Sequence, residues 1–153
     1  MIISKATKKD RKELLNFFKH YKINDLAKKR VECYTNYAST IIAKEKDKII
    51  GVLQWYVKED PKAGVAEFEE LFVKKEYRSR GIGLRLVEAG IKDVRSFFRK
   101  NNIKPRKIFL FISKSNIASR KLNKKLGFKF IAEVEDLFLD GESELFYCLD
   151  LRK

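Results

Sequence analysis

A chain of 153 residues that is 44% apolar and 37% charged has the size and composition of one domain with its own core, which excludes a disordered or fibrous polypeptide. No apolar run approaches the roughly 18–20 residues that cross a bilayer, and MIISKATKKD is too short in its apolar start to be a secretory signal, so the expected location is the cytoplasm, away from membranes. The net charge of +14 favours phosphate-bearing or polyanionic partners, although a proteome rich in charge, as in a thermophile, produces the same totals.

Ile2–Lys5 reads as a short strand. Thr7-Lys-Lys-Asp10 then has the form of a helix start, with Thr7 as N-cap and an acid three residues on. Leu14, Leu15, Phe17 and Phe18 give that helix an apolar face, and a second helix is expected over about 23–34. Thr40–Lys44 and Ile49–Lys58 are rich in β-formers, and Lys46-Asp47-Lys48 joins them as a hairpin turn. Asp60-Pro61-Lys62 is turn chemistry before a third strand at Ala63–Val73. Over 82–100, apolar positions recur at helical spacing: Ile82, Leu86, Val87, Ile91, Val94, Phe97 and Phe98. Lys107–Ile112 is a continuous apolar run, expected as a strand covered on both faces. Asn116–Leu126 is helical and Gly127 stops it. Phe128–Glu133 and Leu145–Leu151 complete the sheet. No repeat, linker or composition break marks a second domain, so residues 1–153 read as a single α/β domain, mixed α+β, on one sheet.

Cys33 and Cys148 are too few for a disulfide framework and lack CxxC spacing, so both are expected as free thiols. His20, the sole histidine, has no Cys, His or Asp cluster around it, and no metal site is expected. The segment with chemical content is Leu71-Phe-Val-Lys-Lys-Glu-Tyr-Arg-Ser-Arg-Gly-Ile-Gly-Leu84. A strand ends near Val73, a basic loop with glycines follows, and a long helix begins near Ile82. Glycines let backbone N–H groups approach an anion, and a helix N-terminus adds unpaired donors and partial positive charge. Arg78 and Arg80 add cationic donors. The spacing is neither GxxxxGK[ST] nor GxGxxG. The bland alternative is an ordinary strand-to-helix turn carrying a surface Arg pair.

Arg78-x-x-Gly81-x-Gly83 resembles the R/Q-x-x-G-x-G/A signature of the GNAT N-acetyltransferases. Asn116-x-Ala-Ser-Arg-Lys-Leu-Asn-Lys-Lys-Leu-Gly-Phe128 is similar to that family's second block, and the element order agrees along nearly the whole chain. The resemblance implies a central, mostly antiparallel mixed sheet flanked by helices, with acetyl-CoA in a splay between two central strands. It implies that the backbone of Leu71, Phe72 and Val73 pairs with the pantetheine arm. Arg78, Ser79, Arg80, Gly81, Ile82, Gly83 and Leu84 would hold the pyrophosphate. Asn116 would bond the cofactor near its pantetheine, with Ser119 and Arg120 on the same helix and Arg120 within reach of phosphate.

Acetyl transfer to an amine needs a base, because free amines titrate near 10, and it benefits from a proton for the departing thiolate. Glu67 and Glu69 share a strand face just before Leu71, and Glu70 points to the other. The resemblance places Glu69 where several members carry a catalytic glutamate, which makes it the first candidate base and Glu67 the second. The tyrosine that the family carries as general acid is replaced by Asn123, leaving Tyr147 or Tyr77 as substitutes, an unassisted thiolate, or a protein that binds acetyl-CoA and catalyses weakly. Trp55 and Tyr56 border the implied acceptor region but are read first as packing; Tyr34 and Tyr37 are candidates for a pocket wall. The implied partners are an amine on a small molecule or protein, and a second copy in a homodimer. A pure nucleic-acid module is a weaker reading. The basic pairs Lys8-Lys9, Lys28-Lys29-Arg30, Lys74-Lys75, Arg99-Lys100 and Lys124-Lys125 are spread along the chain, with no zinc finger, RNP motif or helix-turn-helix.

Overall fold

A computed structural model describes residues 1–18, 32, 39–58, 60–138 and 141–152. His20, Cys33, Tyr34, Tyr37, Lys28-Lys29-Arg30 and the second helix expected over 23–34, apart from Glu32, lie outside these residues. Seven strands form one mixed, mostly antiparallel sheet: β1 (Ile2–Lys5), β2 (Ser39–Glu45), β3 (Lys48–Val57), β4 (Val65–Val73), β5 (Lys107–Ser113), β6 (Lys129–Val134) and β7 (Glu144–Asp150), in the order β1-β2-β3-β4-β5-β7-β6. The helices are α1 (Arg11–Phe17), α2 (Ile82–Lys100) and α3 (Ile117–Lys125). The chain divides into two compact units, residues 1–56 with 70–90 and residues 57–69 with 91–153, and β4 and α2 each run through both.

In the first unit, local chemistry sets the start of α1. The Asp10 carboxylate accepts from Thr7 N–H at 2.8 Å and from Thr7 Oγ1 at 2.9 Å, the expected acid three residues from the cap. Leu14, Phe17 and Phe18 then bury against Ile42, Ile49 and Val52, with Phe72 packed on this core. β2 and β3 pair antiparallel from Ser39↔Trp55 to Glu45↔Lys48, closed by Lys46 at φ 53. Gly51 permits close packing: a Cβ there would meet Leu86 Cδ1 at 3.0 Å and Phe72 O at 3.2 Å.

In the second unit, β5 pairs parallel with β4 over three residues only, Val65↔Lys107 to Glu67↔Phe109. β4 runs on to Val73 and β5 to Ser113 beyond the end of that ladder. β7 pairs antiparallel with β5 on one side and β6 on the other. The expectation that β5 is covered on both faces is corrected: Ile108, Leu110 and Ile112 are buried while Lys107, Phe109, Phe111 and Ser113 are half-buried. The apolar alternates instead form a ring cluster, Phe111 stacking on Phe146 at 5.2 Å and Phe109 meeting Phe146 edge-on at 5.6 Å. Cys148 is a free, half-buried thiol, and burial pushes its pKa up.

Candidate functional site

In the first unit, Leu71, Phe72 and Val73 are the last three residues of β4, all half-buried. A single 3-10 turn at Lys75–Tyr77 leads into the loop, and α2 starts at Ile82. Two loop residues take left-handed backbone, Ser79 at φ 61 and Gly81 at φ 73. For serine this conformation carries strain, of the kind that persists where surroundings demand it. Gly81 is exposed, and a Cβ built on it would meet nothing within 4 Å, so the loop has open space where a ligand's phosphates would approach. Arg85 N–H is the first amide of α2 to bond back, to Gly81 O at 3.2 Å. The amides of Ile82, Gly83 and Leu84 are therefore the unpaired donors of a nineteen-residue helix, beside the open space at Gly81. These features fit a pyrophosphate.

Arg78 and Arg80 stand at the mouth of this loop, both exposed. Arg78 Nε donates to Val73 O at 2.9 Å and its guanidinium lies 5.5 Å from the Phe72 ring, while that of Arg80 lies 5.3 Å from the Tyr77 ring. Desolvation, then the hydrogen-bonded carboxylate of Glu45, push the Tyr77 phenol above its ordinary value. Alongside lies an open pocket of about 310 Å³ lined by Asn16, Phe17, Phe72, Lys74, Lys75 and Glu76, with Lys74 Nζ 5.6 Å from the Phe17 ring.

The same unit holds a polar pair that the sequence reading missed. Thr40 and Gln54 face each other directly across β2 and β3, both buried, and among the described residues Thr40 Oγ1 and both polar atoms of the Gln54 amide have no hydrogen-bond partner. The available signal was a lone amide in the apolar run of β3. Trp55 is buried and Tyr56 half-buried, consistent with packing roles.

In the second unit, Ala66 and Phe68 are buried while Glu67 and Glu69 alternate with them on the opposite face of β4, as expected. Glu69 is exposed; Glu67 lies 3.7 Å from Lys58 Nζ in an ion pair. Asn116 is the N-cap of α3, its Oδ1 accepting from Ser119 N–H at 3.1 Å, which leaves its Nδ2 as the group able to donate to a ligand. Arg120 Nη1 donates to Lys114 O at 2.9 Å. Asn123 is 2% exposed, and its Nδ2 donates to Ser119 O at 2.9 Å and Oγ at 3.2 Å. The bond to a carbonyl fixes the orientation of the amide, so the buried atom without a partner is Oδ1, an acceptor. Tyr147 is buried on β7, facing Leu110 on one side and Phe130 on the other, with the Phe130 ring at 5.8 Å.

The sequence matches the model of the acetyltransferase (GNAT) family over residues 9–128. No curated protein matches it at a significant level. Among solved structures, the chain superposes on an N-acetyltransferase from Staphylococcus aureus Mu50 with a TM-score of 0.78 at 21% identity, covering 97% of each chain. It is also similar to the ribosomal-protein-S18-alanine N-acetyltransferase from Escherichia coli, with a TM-score of 0.77 at 17% identity over 97% of this chain and 92% of that one. An aminoglycoside 6'-N-acetyltransferase complexed with coenzyme A gives 0.78 at 17% identity, over 98% and 97%. At such identities the likeness is one of fold.

Proposed function

The chain belongs to the GNAT acetyltransferase family, and from that premise we propose that it is an N-acetyltransferase moving acetyl from acetyl-CoA to a primary amine by direct attack in a ternary complex. The observation that carries this reading is the loop between β4 and α2. Left-handed Ser79 and Gly81, open space over Gly81 and the free amides at the start of α2 make an anion cradle beside two arginines. The parallel ladder that ends at Glu67↔Phe109 supports a pantetheine arm laid along Leu71–Val73 as an added strand.

Bound acetyl-CoA supplies an acyl carbon already activated as a thioester. The chain's own residues manage protons and position. The Glu69 carboxylate takes the proton that the ammonium form of the acceptor must lose before its nitrogen attacks. Glu67 is second, because its ion pair with Lys58 competes for the same oxygens. The N–C bond would form as the C–S bond breaks, with the nitrogen's second proton passing to the departing sulfur or to water, since α3 offers no side-chain acid. Asn123 holds no transferable proton and is locked on Ser119. Its unpartnered Oδ1 suits a small donor such as a buried water. The same asparagine favours a second reading, an acyl-CoA-binding protein with slow turnover. Among the fold's relatives the acceptors named are a protein alanine and an aminoglycoside, so the amine here is assigned to a small molecule or a protein.

A thermal-shift titration with coenzyme A and acetyl-CoA at about 150 mM salt tests the reading under partial charge screening. The expected result is a saturable rise in Tm, worth about 2.7 kcal/mol when ligand reaches a hundredfold Kd. A folded protein whose Tm stays constant overturns it.

A further inference from the structure

Between Asp93 and Glu133 the sequence has twelve Lys and Arg and no Asp or Glu, so this stretch alone contributes +12 of the net +14. Strand register within the second unit decides where those cations go. Lys107 faces Asp150, while Phe109 and Lys129 face Cys148 from its two sides. The starts of β5 and β6 and the end of β7 therefore lie at one end of this three-stranded sheet. The C-terminus of α2 reaches β5 through residues 101–106, held by Ile103 N–H on Phe98 O at 2.8 Å and Arg106 N–H on Gly64 O at 2.8 Å. The C-terminus of α3 reaches β6 through residues 126–128. Both helices thus deliver their last turns to the same end.

Arg99, Lys100, Lys104, Lys124, Lys125 and Lys129 are exposed there, and none forms an ion pair among the described residues. Lys121, Lys124 and Lys125 stand at i, i+3 and i+4, one stripe along α3. Five acids of the unit, Glu133, Glu135, Asp136, Glu142 and Glu144, lie toward the opposite end, where β6 finishes and β7 begins, while Asp150 at the basic end is paired with Arg152. Coenzyme A does not account for the basic end. Asn116, Ser119 and Arg120, the residues assigned to it, sit in the first half of α3; along the axis Lys125 lies about 13 Å beyond Asn116 and about 7 Å beyond Arg120, at the far end of the helix. Next to Lys129, the Phe130 ring is 54% exposed on the edge strand. Phe130 follows Lys129 in β6, its side chain on the other face of the strand; exposed cations and an exposed ring on one unit are the components that take a phosphate backbone and a stacked base.

We propose that the basic end of the second unit docks a single-stranded nucleic acid, with phosphates on the Lys121–Lys124–Lys125 stripe and the neighbouring cations, and a base stacked on Phe130. An acidic protein segment would satisfy the cations but offers no π-face to Phe130, and a duplex keeps its bases stacked on each other.

Fluorescence anisotropy of a labelled oligouridylate of about 20 nucleotides, titrated with the whole protein from about 50 to 300 mM KCl, tests this through the salt slope. The expected result is saturable binding whose log affinity falls with log salt by about 0.7 for each phosphate neutralised. Lys121→Glu/Lys124→Glu/Lys125→Glu weakens binding at least about tenfold and flattens the slope. Phe130→Ala weakens it several-fold and leaves the slope unchanged. Lys8→Glu/Lys9→Glu/Lys12→Glu, equal in charge change but on the first unit, stays within about twofold of the parent. The response of Tm to coenzyme A stays at the parent value in the α3 variant, which shows that it is folded. Equal losses in both triple variants, or no binding at the lowest salt, overturn the proposal. So do competition by poly-L-glutamate as effective as that of unlabelled RNA, and equal affinity for a duplex of the same length.

Discussion

Asp10 shows how one side chain ties sequence to stability. It is 8% exposed, caps Thr7 and pairs with Lys44 of β2. Burial works to raise its carboxyl, but the bond from Lys44 and the two from Thr7 outweigh that and hold it below its ordinary value. Its native pKa lies below its unfolded one, so the ionised form stabilises the fold above pH about 4, and that contribution is lost as pH falls through the native value. Asp10→Asn is expected to cost about 1–3 kcal/mol at neutral pH, with the gap to the parent narrowing in urea unfolding as pH falls below the unfolded value of about 4. A gap that stays constant would assign the loss to packing rather than charge. At the reacting end, Glu69→Gln should lower kcat by about 10²–10⁴ with the Kd of coenzyme A unchanged. Unchanged turnover would remove Glu69 from the role of base. Asn123→Ala should change kcat by less than about threefold, since the proton transfer worth 10² or more is not its task.

The strand-to-helix turn is the element on which cofactor binding depends. Gly81→Glu fills the open space over the start of α2 and sets a carboxylate where phosphate charge belongs, so the coenzyme A response of Tm should vanish, while the apo protein loses the roughly 1–2 kcal/mol that a left-handed backbone costs a non-glycine residue. Gly64 tests a different turn. It is left-handed at φ 64, and a Cβ there would lie 2.2 Å from Lys104 O, so backbone has to move. Gly64→Ala should destabilise by about 1–3 kcal/mol or more, read as a lowered urea midpoint. That position joins the start of β4 to the start of β5, because Gly64 O accepts from Arg106 N–H, and it therefore sets the register of the short parallel ladder.

For the whole molecule, a surplus of +14 works against compactness by self-repulsion. Raising KCl from about 10 to 300 mM shortens the screening length from about 30 Å to under 8 Å, so the Tm should climb and then level. A falling Tm would mean that ion pairs such as Lys114–Glu133 and Asp10–Lys44 outweigh the repulsion. No helix among the described residues is long and apolar enough to cross a membrane.

Much of this molecule was legible without coordinates where the cause is local. The Thr7–Asp10 box, the Lys46 hairpin, the helix over 82–100 and the stop at Gly127 each depend on residues within a few positions of one another. The glycine-bearing loop was readable for the same reason, since strand, turn and helix N-terminus are contiguous. Register and burial were not, because they are settled between residues far apart in the chain. Whether β5 is covered on one face or both depends on what packs there, and its odd-numbered residues turned out half-buried. That Lys58 holds Glu67, that Thr40 meets Gln54, and that Asn123 is buried with an idle acceptor are likewise outcomes of pairing and packing. The basic pairs looked scattered along the sequence. Only the antiparallel return of β7 between β5 and β6 brings two strand starts and two helix ends to one end of the unit, and with them Arg99, Lys100, Lys104, Lys124, Lys125 and Lys129.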